Sequence, residues 1–437
     1  MQGKNKDIKA ILDKLGIAAL NPMQESAYEA ISSQPEVVLL SPTGTGKTLA
    51  FLLPLIAALD PELTAVQALI LVPSRELALQ IEQVTREMGS GFKTNAVYGG
   101  RAGAKDKLDL KHPPAILIGT PGRIADHMRR GTIATDHIKT LVLDEFDKSL
   151  EVGFADEMSA ILSSLRSVKK KVLTSATQKV KIPAFMGIRN PKYLNFPGES
   201  SPRLQLKTVL ATNKNTLETL VQLLRHLGGK NGIVFCNLKE SIQTVSDYLA
   251  VNAIDHSCFY GGLEQVDRER ALIKFRNGTH RILIATDLAA RGIDVPKMDF
   301  IIHYQLPLTE DEFVHRNGRT ARMNSQGTAY MIRLEKESLP PFAKGAEVLT
   351  LKPNHEKLTK AWETLFISGG RKDKISKGDI AGLFFKQGKL SKDELGVIEL
   401  KQDCAFVAVP TSKAKQLIQQ LNNSPLKKKK VRISLLA

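Results

Sequence analysis

Long apolar runs are missing from this 437-residue sequence. A membrane-spanning helix needs about 20 consecutive apolar residues, and the longest apolar stretch, Leu49 to Leu59, is interrupted by Pro54. The first ten residues are polar, and the apolar segment of a secretory signal peptide does not follow them. We therefore expect a protein with neither a membrane partner nor a secretory signal.

Cysteine is also scarce. The three cysteines, Cys236, Cys258 and Cys404, are odd in number and far apart in the sequence. Disulfide frameworks use paired cysteines and zinc sites use closely spaced ones, so neither is predicted. A reducing, cytoplasmic location is expected.

Acidic residues are too few to balance the basic ones. The sequence has 62 Lys and Arg against 45 Asp and Glu, which gives a net charge of +17. Residues 366–437 contain 15 Lys and Arg against 6 Asp and Glu, so this tail contributes +9 of the total. Such a balance points to a polyanionic partner, and the length predicts about three domains.

The segment Ser41–Thr48, SPTGTGKT, follows a short apolar run and precedes an apolar helix pattern. This context predicts a strand, a tight loop and a helix start, in which Gly44 and Gly46 let backbone amides surround phosphate oxygens. Lys47 would reach the β- and γ-phosphates, and the Thr48 hydroxyl would bind Mg²⁺. The alternative is a glycine-containing turn before a core helix.

Apolar runs near 37–40, 68–72, 96–98, 115–118, 140–143 and 171–173 predict strands that alternate with helices. Such strands form a parallel sheet with both faces covered, and ligands bind where the strands end. The pair Asp144–Glu145 follows one strand, so Asp144 would hold the water shell of Mg²⁺ and Glu145 would polarise an attacking water. Gln24, which is expected to open a helix that runs through Ile31 ahead of the loop, is a candidate for reading the adenine edge. Solvated side chains are the alternative for all three residues.

Ten short motifs resemble, in order and spacing, the motif series of the DEAD-box RNA helicases. They are SPTGTGKT (41–48), PSRELA (73–78), GG (99–100), TPGR (120–123), DEFD (144–147), SAT (175–177), IVFCN (233–237), QVDR (265–268), ATDLAARGID (285–294) and HRNGRTAR (315–322). One departure is Phe146, which stands where the family has alanine.

The resemblance implies two RecA-like domains with ATP in the cleft between them and RNA lying across both. For ATP and Mg²⁺ it implies the residues Gln24, Thr43, Gly44, Thr45, Gly46, Lys47, Thr48, Asp144, Glu145 and Asp294. It also implies that Arg319 and Arg322 are arginine fingers for the γ-phosphate, and that Ser175 and Thr177 couple hydrolysis to RNA. RNA contacts are implied for Arg75, Gly99, Gly100, Thr120, Arg123, Gln265, Arg268 and Thr286. Most would contact phosphates and sugars, so recognition by this core is expected to be independent of base sequence.

The predicted domains are 1–196 and 205–352, two RecA-like parallel-sheet domains, and 362–437, a small ferredoxin-like (RRM-like) α+β domain. Residues 195–203, NFPGESSPR, form the predicted linker. In the second domain, strands are predicted at 232–236, 282–285 and 300–302. In the tail, strands at 364–368, 396–400, 404–409 and 431–435 alternate with helices at 379–386 and 412–422 in βαββαβ order.

The segment 367–384, ISGGRKDKISKGDIAGLF, and the tail as a whole resemble the C-terminal RNA-binding domain of DbpA-like bacterial helicases. This resemblance implies recognition of a hairpin of large-subunit ribosomal RNA. Lysines 427–430, with Arg371, Lys372 and Lys374, are candidates for the phosphate contacts. Phe406 fits one base-stacking position of an RNA-recognition fold, whereas Cys404 and Val409 occupy the other two. A protein-binding or structural unit is the alternative.

The sequence thus predicts an ATP- and Mg²⁺-dependent RNA helicase that acts on ribosomal RNA in pre-ribosomal particles during large-subunit assembly. Two alternatives stay open. One is a nucleotide-gated RNA clamp with little turnover, and the other is a general messenger-RNA unwinder with a nonspecific basic tail.

Overall fold

The computed structural model describes residues 7–100, 103–151, 153–176, 181–196, 204–211, 215–287, 298–320, 327–352 and 359–436. These residues form two compact units that divide between 196 and 204. Among the helices within these ranges, none has the length and apolarity that crossing a membrane requires.

In the first unit, strands and helices alternate along the chain. Its strands are β1 (Glu36–Leu40), β2 (Ala68–Leu71), β3 (Thr94–Val97), β4 (Ile116–Gly119), β5 (Thr140–Leu143), β6 (Lys170–Ser175) and β7 (Lys192–Asn195). Its helices are α1 (Ile8–Leu15), α2 (Pro22–Ser33), α3 (Lys47–Ala58), α4 (Arg75–Glu87), α5 (Gly103–Leu110), α6 (Pro121–Arg129), α7 (Phe146–Glu151) and α8 (Ala155–Ser164). The strands pair in parallel in the order β3-β4-β2-β5-β6-β1-β7.

Helices cover both faces of this sheet, as the continuous apolar strands predict. Val37 and Leu39 of β1 belong to one apolar core, and Val38 and Leu40 belong to the other. Phe146 is fully buried in the second of these cores, so its ring is accommodated by packing beneath the turn. The sequence missed β7, because this edge strand is largely exposed and lacks an apolar run.

One helix start was predicted wrongly. Helix α2 begins at Pro22, with Asn21 as its N-cap, rather than at Gln24. Proline suits the first position of a helix because it has no N–H to leave unpaired. Asn21 and Gln24 form a capping box, in which each side chain accepts a hydrogen bond from the other residue's backbone N–H.

The second unit begins with another parallel sheet. Its strands are β8 (Leu204–Ala211), β9 (Gly232–Phe235), β10 (His256–Phe259), β11 (Ile282–Ala285), β12 (Phe300–His303), β13 (Gly327–Leu334) and β14 (Glu347–Val348). Its helices are α9 (Thr216–Leu227), α10 (Lys239–Val251), α11 (Gln265–Arg276) and α12 (Glu310–Asn317). The strand order is β10-β11-β9-β12-β13-β8-β14, which repeats the plan of the first sheet strand for strand.

The tail of the second unit forms an antiparallel sheet with two helices. Its elements are β15 (Trp362–Ile367), α13 (Lys377–Lys386), β16 (Ile398–Leu400), β17 (Ala405–Pro410), α14 (Thr411–Leu421), β18 (Pro425–Leu426), β19 (Lys429–Lys430) and β20 (Ile433–Leu435). The main sheet has the order β16-β17-β15-β20, and β18 and β19 make a separate hairpin. The predicted fold class, two RecA-like domains and a ferredoxin-like domain, is confirmed. The hairpin was not predicted.

Candidate functional site

Three neighbouring strands of the first sheet bring the predicted nucleotide residues to one edge. In the order β5-β6-β1, Leu40 of β1 lies opposite Ser175 of β6, and Leu143 of β5 lies opposite Leu173 of β6. The backbone N–H of Ser41 donates to the carbonyl oxygen of Ser175 at 3.0 Å. The loop after β1, the end of β6 and the acidic pair after β5 are therefore adjacent.

The glycines of the loop after β1 adopt a backbone conformation that favours glycine. Gly44 has φ +82° and Gly46 has φ +90°, and Gly46 immediately precedes α3. A Cβ atom on Gly46 would lie 2.4 Å from Nε2 of Gln24. A side chain at position 46 would therefore displace Gln24, and glycine also permits the left-handed backbone that precedes α3.

Lys47 is folded back into this loop. Its ammonium group donates to the carbonyl oxygens of Ser41 at 2.5 Å and Pro42 at 2.9 Å, and the residue is buried. The Thr45 hydroxyl accepts from Ser41 Oγ and donates to the Pro42 carbonyl, both at 2.9 Å. The loop thus holds a positive charge in its centre. Thr43 and Thr48 are half-buried beside it.

Gln24 is buried against the same loop. Its Nε2 donates to the carbonyl oxygen of Gly46 at 3.3 Å, and its Oε1 accepts from the backbone N–H of Asn21. Asn21 Nδ2 in turn donates to the carbonyl oxygen of Thr45 at 3.0 Å. The N-terminus of α2 is therefore tied to the loop by two hydrogen bonds, one from Gln24 Nε2 and one from Asn21 Nδ2.

The acidic pair is organised by a residue that the sequence analysis missed. Thr174 donates its hydroxyl to Oδ1 of Asp144 and accepts a hydrogen bond from the backbone N–H of Glu145 at 3.3 Å. Burial raises the pKa of Asp144, while the Thr174 bond and the nearby positive charge of Lys47 oppose that rise. Glu145 adopts a left-handed conformation with φ +49°. The predicted strand ended at Leu173, although Thr174 stands in the polar cluster that follows it.

The oxygen ligands near the loop fit magnesium. Asp144 offers a carboxylate and Thr48 a hydroxyl, and Mg²⁺ sites commonly combine one or two carboxylates with phosphate oxygens and water. Within the described ranges, no group of three or more His, Cys, Asp and Glu residues could hold a metal ion. This residue set suits an ion held largely by the phosphates of a nucleotide.

Arg75 lies against the Gly99–Gly100 turn, at another part of the same sheet edge. Its guanidinium would be 2.6 Å from a Cβ atom at Gly100, where φ is +82°. The turn follows β3, and Arg75 begins α4 after β2. The fold thus brings together three residues predicted to contact RNA.

Arg123 is held in an ion-pair network. Its guanidinium contacts Asp106 at 2.6 Å and Asp126 at 3.3 Å, and its side chain is 16% exposed. Asp106 is fully buried and also accepts from His127. Thr120, the N-cap of α6, is buried beside it. The carboxylates fix the position of Arg123 at the start of α6.

In the second unit, neighbouring strands carry the remaining predicted RNA residues. Gln265 begins α11, the helix after β10, and Thr286 directly follows β11. Arg268 is buried, with its guanidinium 4.9 Å from the centre of the Phe259 ring. Because β10 and β11 pair in parallel, their C-terminal ends lie at one sheet edge.

Arg316 is the second residue that the sequence analysis missed. Its guanidinium is fully buried and forms a two-point ion pair with Asp287, at 2.7 and 2.5 Å. It also donates to Asn237 Oδ1 and to the carbonyl oxygen of Gln305, both at 2.7 Å. Burial, together with this positive charge, lowers the pKa of His303 to about 3. One signal was available, because Arg316 belongs to the same motif as Arg319.

Of the remaining predicted site residues, two lie within the described structure and three lie outside it. Ser175 ends β6 and is fully buried, and Arg319 is buried just beyond α12. Thr177, Asp294 and Arg322 lie outside the described residues.

Three family models match the chain in succession. A model described as DEAD/DEAH box helicase matches residues 21–184, and one described as Helicase conserved C-terminal domain matches residues 215–324. A model described as DbpA RNA binding domain matches residues 364–435. Together they cover parts of both parallel sheets and most of the tail.

Known proteins match over nearly the whole length. The ATP-dependent RNA helicase DbpA of Escherichia coli (strain K12) is 32% identical, over 97% of this chain and 96% of that protein. The ATP-dependent RNA helicase DbpA of Bacillus subtilis (strain 168) is 30% identical, over 98% and 97%. A solved structure of S. cerevisiae Dbp5 bound to RNA and ADP BeF3 superposes with a TM-score of 0.68 at 26% identity, over 77% of this chain and 88% of that chain.

Proposed function

The chain belongs to the DEAD-box ATP-dependent RNA helicases with a DbpA-type RNA-binding domain, and on this premise we propose that it remodels large-subunit ribosomal RNA. Its family is one of RNA-dependent ATPases. Pre-ribosomal particles in the cytoplasm are the proposed setting. The observation that carries the proposal is a cluster of exposed cations on the tail.

We define the basic cluster as Arg371, Lys372, Lys374, Lys377, Lys427, Lys428 and Lys430, all of which are exposed. Two ion pairs bring its two segments together. Lys429 contacts Asp373 at 2.8 Å, and Lys427 contacts Asp379 at 2.9 Å. These pairs join the hairpin β18–β19 to the turn ahead of α13 and to the first turn of that helix. The other cations of both segments remain to bind phosphates.

The carboxylates that join the hairpin are negative at neutral pH. A hydrogen bond from Lys429 is the main cause that lowers the pKa of Asp373. The Ser376 hydroxyl, and then Lys427, lower the pKa of Asp379 to about 2. The basic cluster therefore keeps its arrangement over the physiological pH range, which favours a preformed RNA-binding surface.

For the ATPase, we propose that the loop of Thr43, Gly44, Thr45 and Gly46 surrounds the phosphates of ATP while Lys47 neutralises them. Thr48 and Asp144 would hold Mg²⁺, which neutralises charge on the β- and γ-phosphates when bound. The Glu145 carboxylate would orient the attacking water, and Thr174 would fix the position of Asp144. Positioning and charge stabilisation, rather than covalent chemistry, account for most catalysis of phosphoryl transfer.

The remaining roles follow the family resemblance. Gln24 is proposed for adenine, Asp294 for the ribose, Arg319 and Arg322 for the γ-phosphate, and Ser175 and Thr177 for coupling to RNA. The proposed RNA contacts of the core are Arg75, Gly99, Gly100, Thr120, Arg123, Gln265, Arg268 and Thr286.

The test measures ATP turnover without RNA, with random-sequence RNA and with large-subunit ribosomal RNA. We expect selective stimulation by the ribosomal RNA, and its loss in Glu145→Gln. Equal stimulation by all RNAs would leave a general RNA unwinder. RNA binding with negligible turnover would instead indicate a nucleotide-gated clamp.

A matched pair of variants tests the basic cluster. Lys372→Glu/Lys428→Glu removes two of its cations, whereas Lys392→Glu/Lys415→Glu makes the same charge change at other exposed positions of the tail. We expect the first pair alone to abolish the preference for ribosomal RNA, and to flatten the dependence of its binding on salt concentration. Equal losses in both variants would mean that only net charge matters.

A further inference from the structure

One face of the antiparallel sheet in the tail points away from the tail's own core. Leu365, Ile367 and Val407 pack into that core. Because side chains alternate along a strand, Thr364, Phe366 and Phe406 point the other way. Two of these outward-pointing residues are nevertheless buried, since Thr364 is fully buried and Phe406 is only 7% exposed.

Helix α11 of the same unit covers this face. Ile273 of α11 forms a small apolar cluster with Phe406 and Leu436, and Phe366 and Cys404 pack against it. The rings of Phe366 and Phe406 lie 5.8 Å apart, centre to centre. These contacts give the interface an apolar centre, which favours association without fixing one alignment.

Polar groups at the rim of the cluster supply the alignment. Arg276, the last residue of α11, donates from Nε to Oε1 of Glu399 at 2.7 Å and from a terminal nitrogen to Oε2 at 2.8 Å. Both side chains are mostly buried, at 23% and 16% exposure. A two-point ion pair of this kind demands one relative orientation of a planar guanidinium and a planar carboxylate.

A second set of bonds lies beyond the end of the helix. The hydroxyls of Thr279 and Thr364 are 2.7 Å apart and buried, and Asn277 Nδ2 approaches the Thr364 hydroxyl at 3.3 Å. Trp362 lies next to Gly278, with a ring atom 3.6 Å from where a Cβ of that residue would be. Sliding the tail by one residue would leave these buried hydroxyls unpaired, which costs free energy.

The same helix carries two proposed RNA contacts near its other end, Gln265 and Arg268. A helix rises 1.5 Å per residue, so Gln265 and Arg276 lie about 16 Å apart along its axis. A contact that holds the tail at Arg276 therefore also sets the distance between the tail and the residues Gln265 and Arg268.

We propose that Arg276 and Glu399 are positioning residues that hold the tail in one alignment on α11, so that RNA bound by the tail reaches Gln265 and Arg268 at a fixed distance. The proposal rests on the proposed function, in which the tail binds ribosomal RNA. It also makes the Phe366–Phe406 face an internal interface rather than a platform for stacking bases.

Charge reversal of the full-length protein tests the alignment. We would compare Arg276→Glu, Glu399→Arg and the double variant, which restores an ion pair with its charges exchanged. Amide hydrogen exchange of residues 268–277 reports docking independently of activity, and ATP turnover at varied concentrations of large-subunit ribosomal RNA reports KM and kcat. Lys401→Glu is the matched control, because it changes the charge equally at the more exposed contact with Glu269, at 3.3 Å.

Each single reversal is expected to raise exchange in residues 268–277 and to raise the KM for ribosomal RNA roughly tenfold, with turnover in the absence of RNA unchanged. The double variant should recover both properties, and Lys401→Glu should change neither by more than about twofold. Unchanged exchange in the single variants, or exchange that the double variant does not restore, would overturn the proposal. Because exchange needs no RNA, this result stands even if the wild type shows no preference for ribosomal RNA, an outcome that would count against the proposed function alone.

Phe406→Leu separates docking from base stacking. Leucine keeps apolar packing against Ile273 but has no aromatic face, so we expect exchange and RNA affinity close to those of the wild type. A loss of RNA affinity with unchanged exchange would mean that Phe406 stacks on bases, and would overturn the assignment of this face to an internal interface.

Discussion

The parallel sheets of the two units have the same strand order, so each strand of the first has a counterpart in the second. Some counterparts end in nearly the same sequence. Strand β3 leads into Tyr98-Gly99-Gly100 and β10 into Tyr260-Gly261-Gly262, and the residues directly after β4 and β11 are Thr120 and Thr286. The proposed RNA contacts thus occur on corresponding strands of both sheets.

In the other half of each sheet, the residues that follow corresponding strands differ between the two units. Strand β1 leads into a loop with two glycines and Lys47, whereas its counterpart β8 leads into residues 212–215, Thr-Asn-Lys-Asn, which contain no glycine. Strand β5 is followed by Asp144 and Glu145, and its counterpart β12 by Tyr304 and Gln305. One plan of strands therefore supplies two equivalent edges, and the loops decide which edge has the phosphate loop and the acidic pair.

The largest expected effect comes from the phosphate loop. Lys47→Ala removes the buried ammonium group of the loop, and we expect RNA-stimulated ATP turnover to fall about 1,000-fold, or about 4 kcal/mol. Lys214→Ala makes the same change after β8, and turnover should stay within about twofold of the wild type, because the sequence after β8 has no glycine-containing phosphate loop. Comparable losses of ATP turnover in both variants would contradict the expectation that only the loop of the first sheet binds the phosphates of ATP.

At the edge of the second sheet, Arg316 is expected to contribute to stability rather than to nucleotide chemistry. Arg316→Met leaves the mostly buried Asp287 carboxylate without its ion pair, and we expect the free energy of unfolding of the second unit to fall by about 3 kcal/mol. Trp362 is the only tryptophan and lies in this unit, so its fluorescence in urea measures the change. Asp287→Leu/Arg316→Met removes both charges and should recover much of the loss. A single variant as stable as the wild type would contradict this account.

A smaller effect is expected at Thr174, which lies beside the acidic pair. The residue of the second sheet that corresponds to Thr174 is the apolar Ile332, which follows Met331 of β13. Thr174→Val gives the first sheet an apolar residue there and removes the hydroxyl that holds Asp144. We expect roughly tenfold slower ATP turnover, as for other groups that orient a metal ligand. Thr174→Ser keeps the hydroxyl and should retain most activity; equal losses in the two variants would mean that the methyl group matters instead.

The smallest effect concerns pH. His303 ends β12, where the first sheet has Leu143, and its folded-state pKa of about 3 lies well below the unfolded value of 6.5. Below about pH 7, His303 therefore binds a proton in the unfolded chain but stays neutral in the folded chain, so the free energy of unfolding falls as pH drops. Between pH 7 and pH 6 we expect a loss of about 0.7 kcal/mol from this residue. His303→Gln should lose that share of the pH dependence in Trp362-monitored unfolding, and an unaltered pH profile would refute the assignment.

Much of this fold could be predicted because its central strands are continuous apolar runs. Strands β2, β4, β5, β9 and β11 are fully buried, so their sequences are almost entirely apolar and are recognisable as strands. Strand β10, His256–Phe259, was missed because it is short and half polar, and β8 was missed because charged and polar residues interrupt it. Tertiary pairing, rather than local pattern, makes both segments strands.

Within the candidate site, local motifs could likewise be predicted from the sequence, whereas contacts between distant residues could not. The grouping of Gly44, Gly46 and Lys47 in one loop between a strand and a helix could be predicted because the motif is local in sequence. The partners of Arg316 could not be predicted, since Asn237 and Asp287 are distant in the chain and only the sheet brings them together. The same holds for the contact of Arg276 with Glu399, because an outward-facing strand residue has the same pattern whether water or another domain covers it.

The stoichiometry of ATP binding tests the central claim most directly. Isothermal titration of the full chain with a non-hydrolysable ATP analogue, Mg²⁺ and RNA should give one site per chain. Lys47→Ala should abolish that site and Lys214→Ala should leave it intact. Two sites per chain, or binding that survives Lys47→Ala, would contradict the conclusion that the two equivalent sheet edges differ in their nucleotide chemistry.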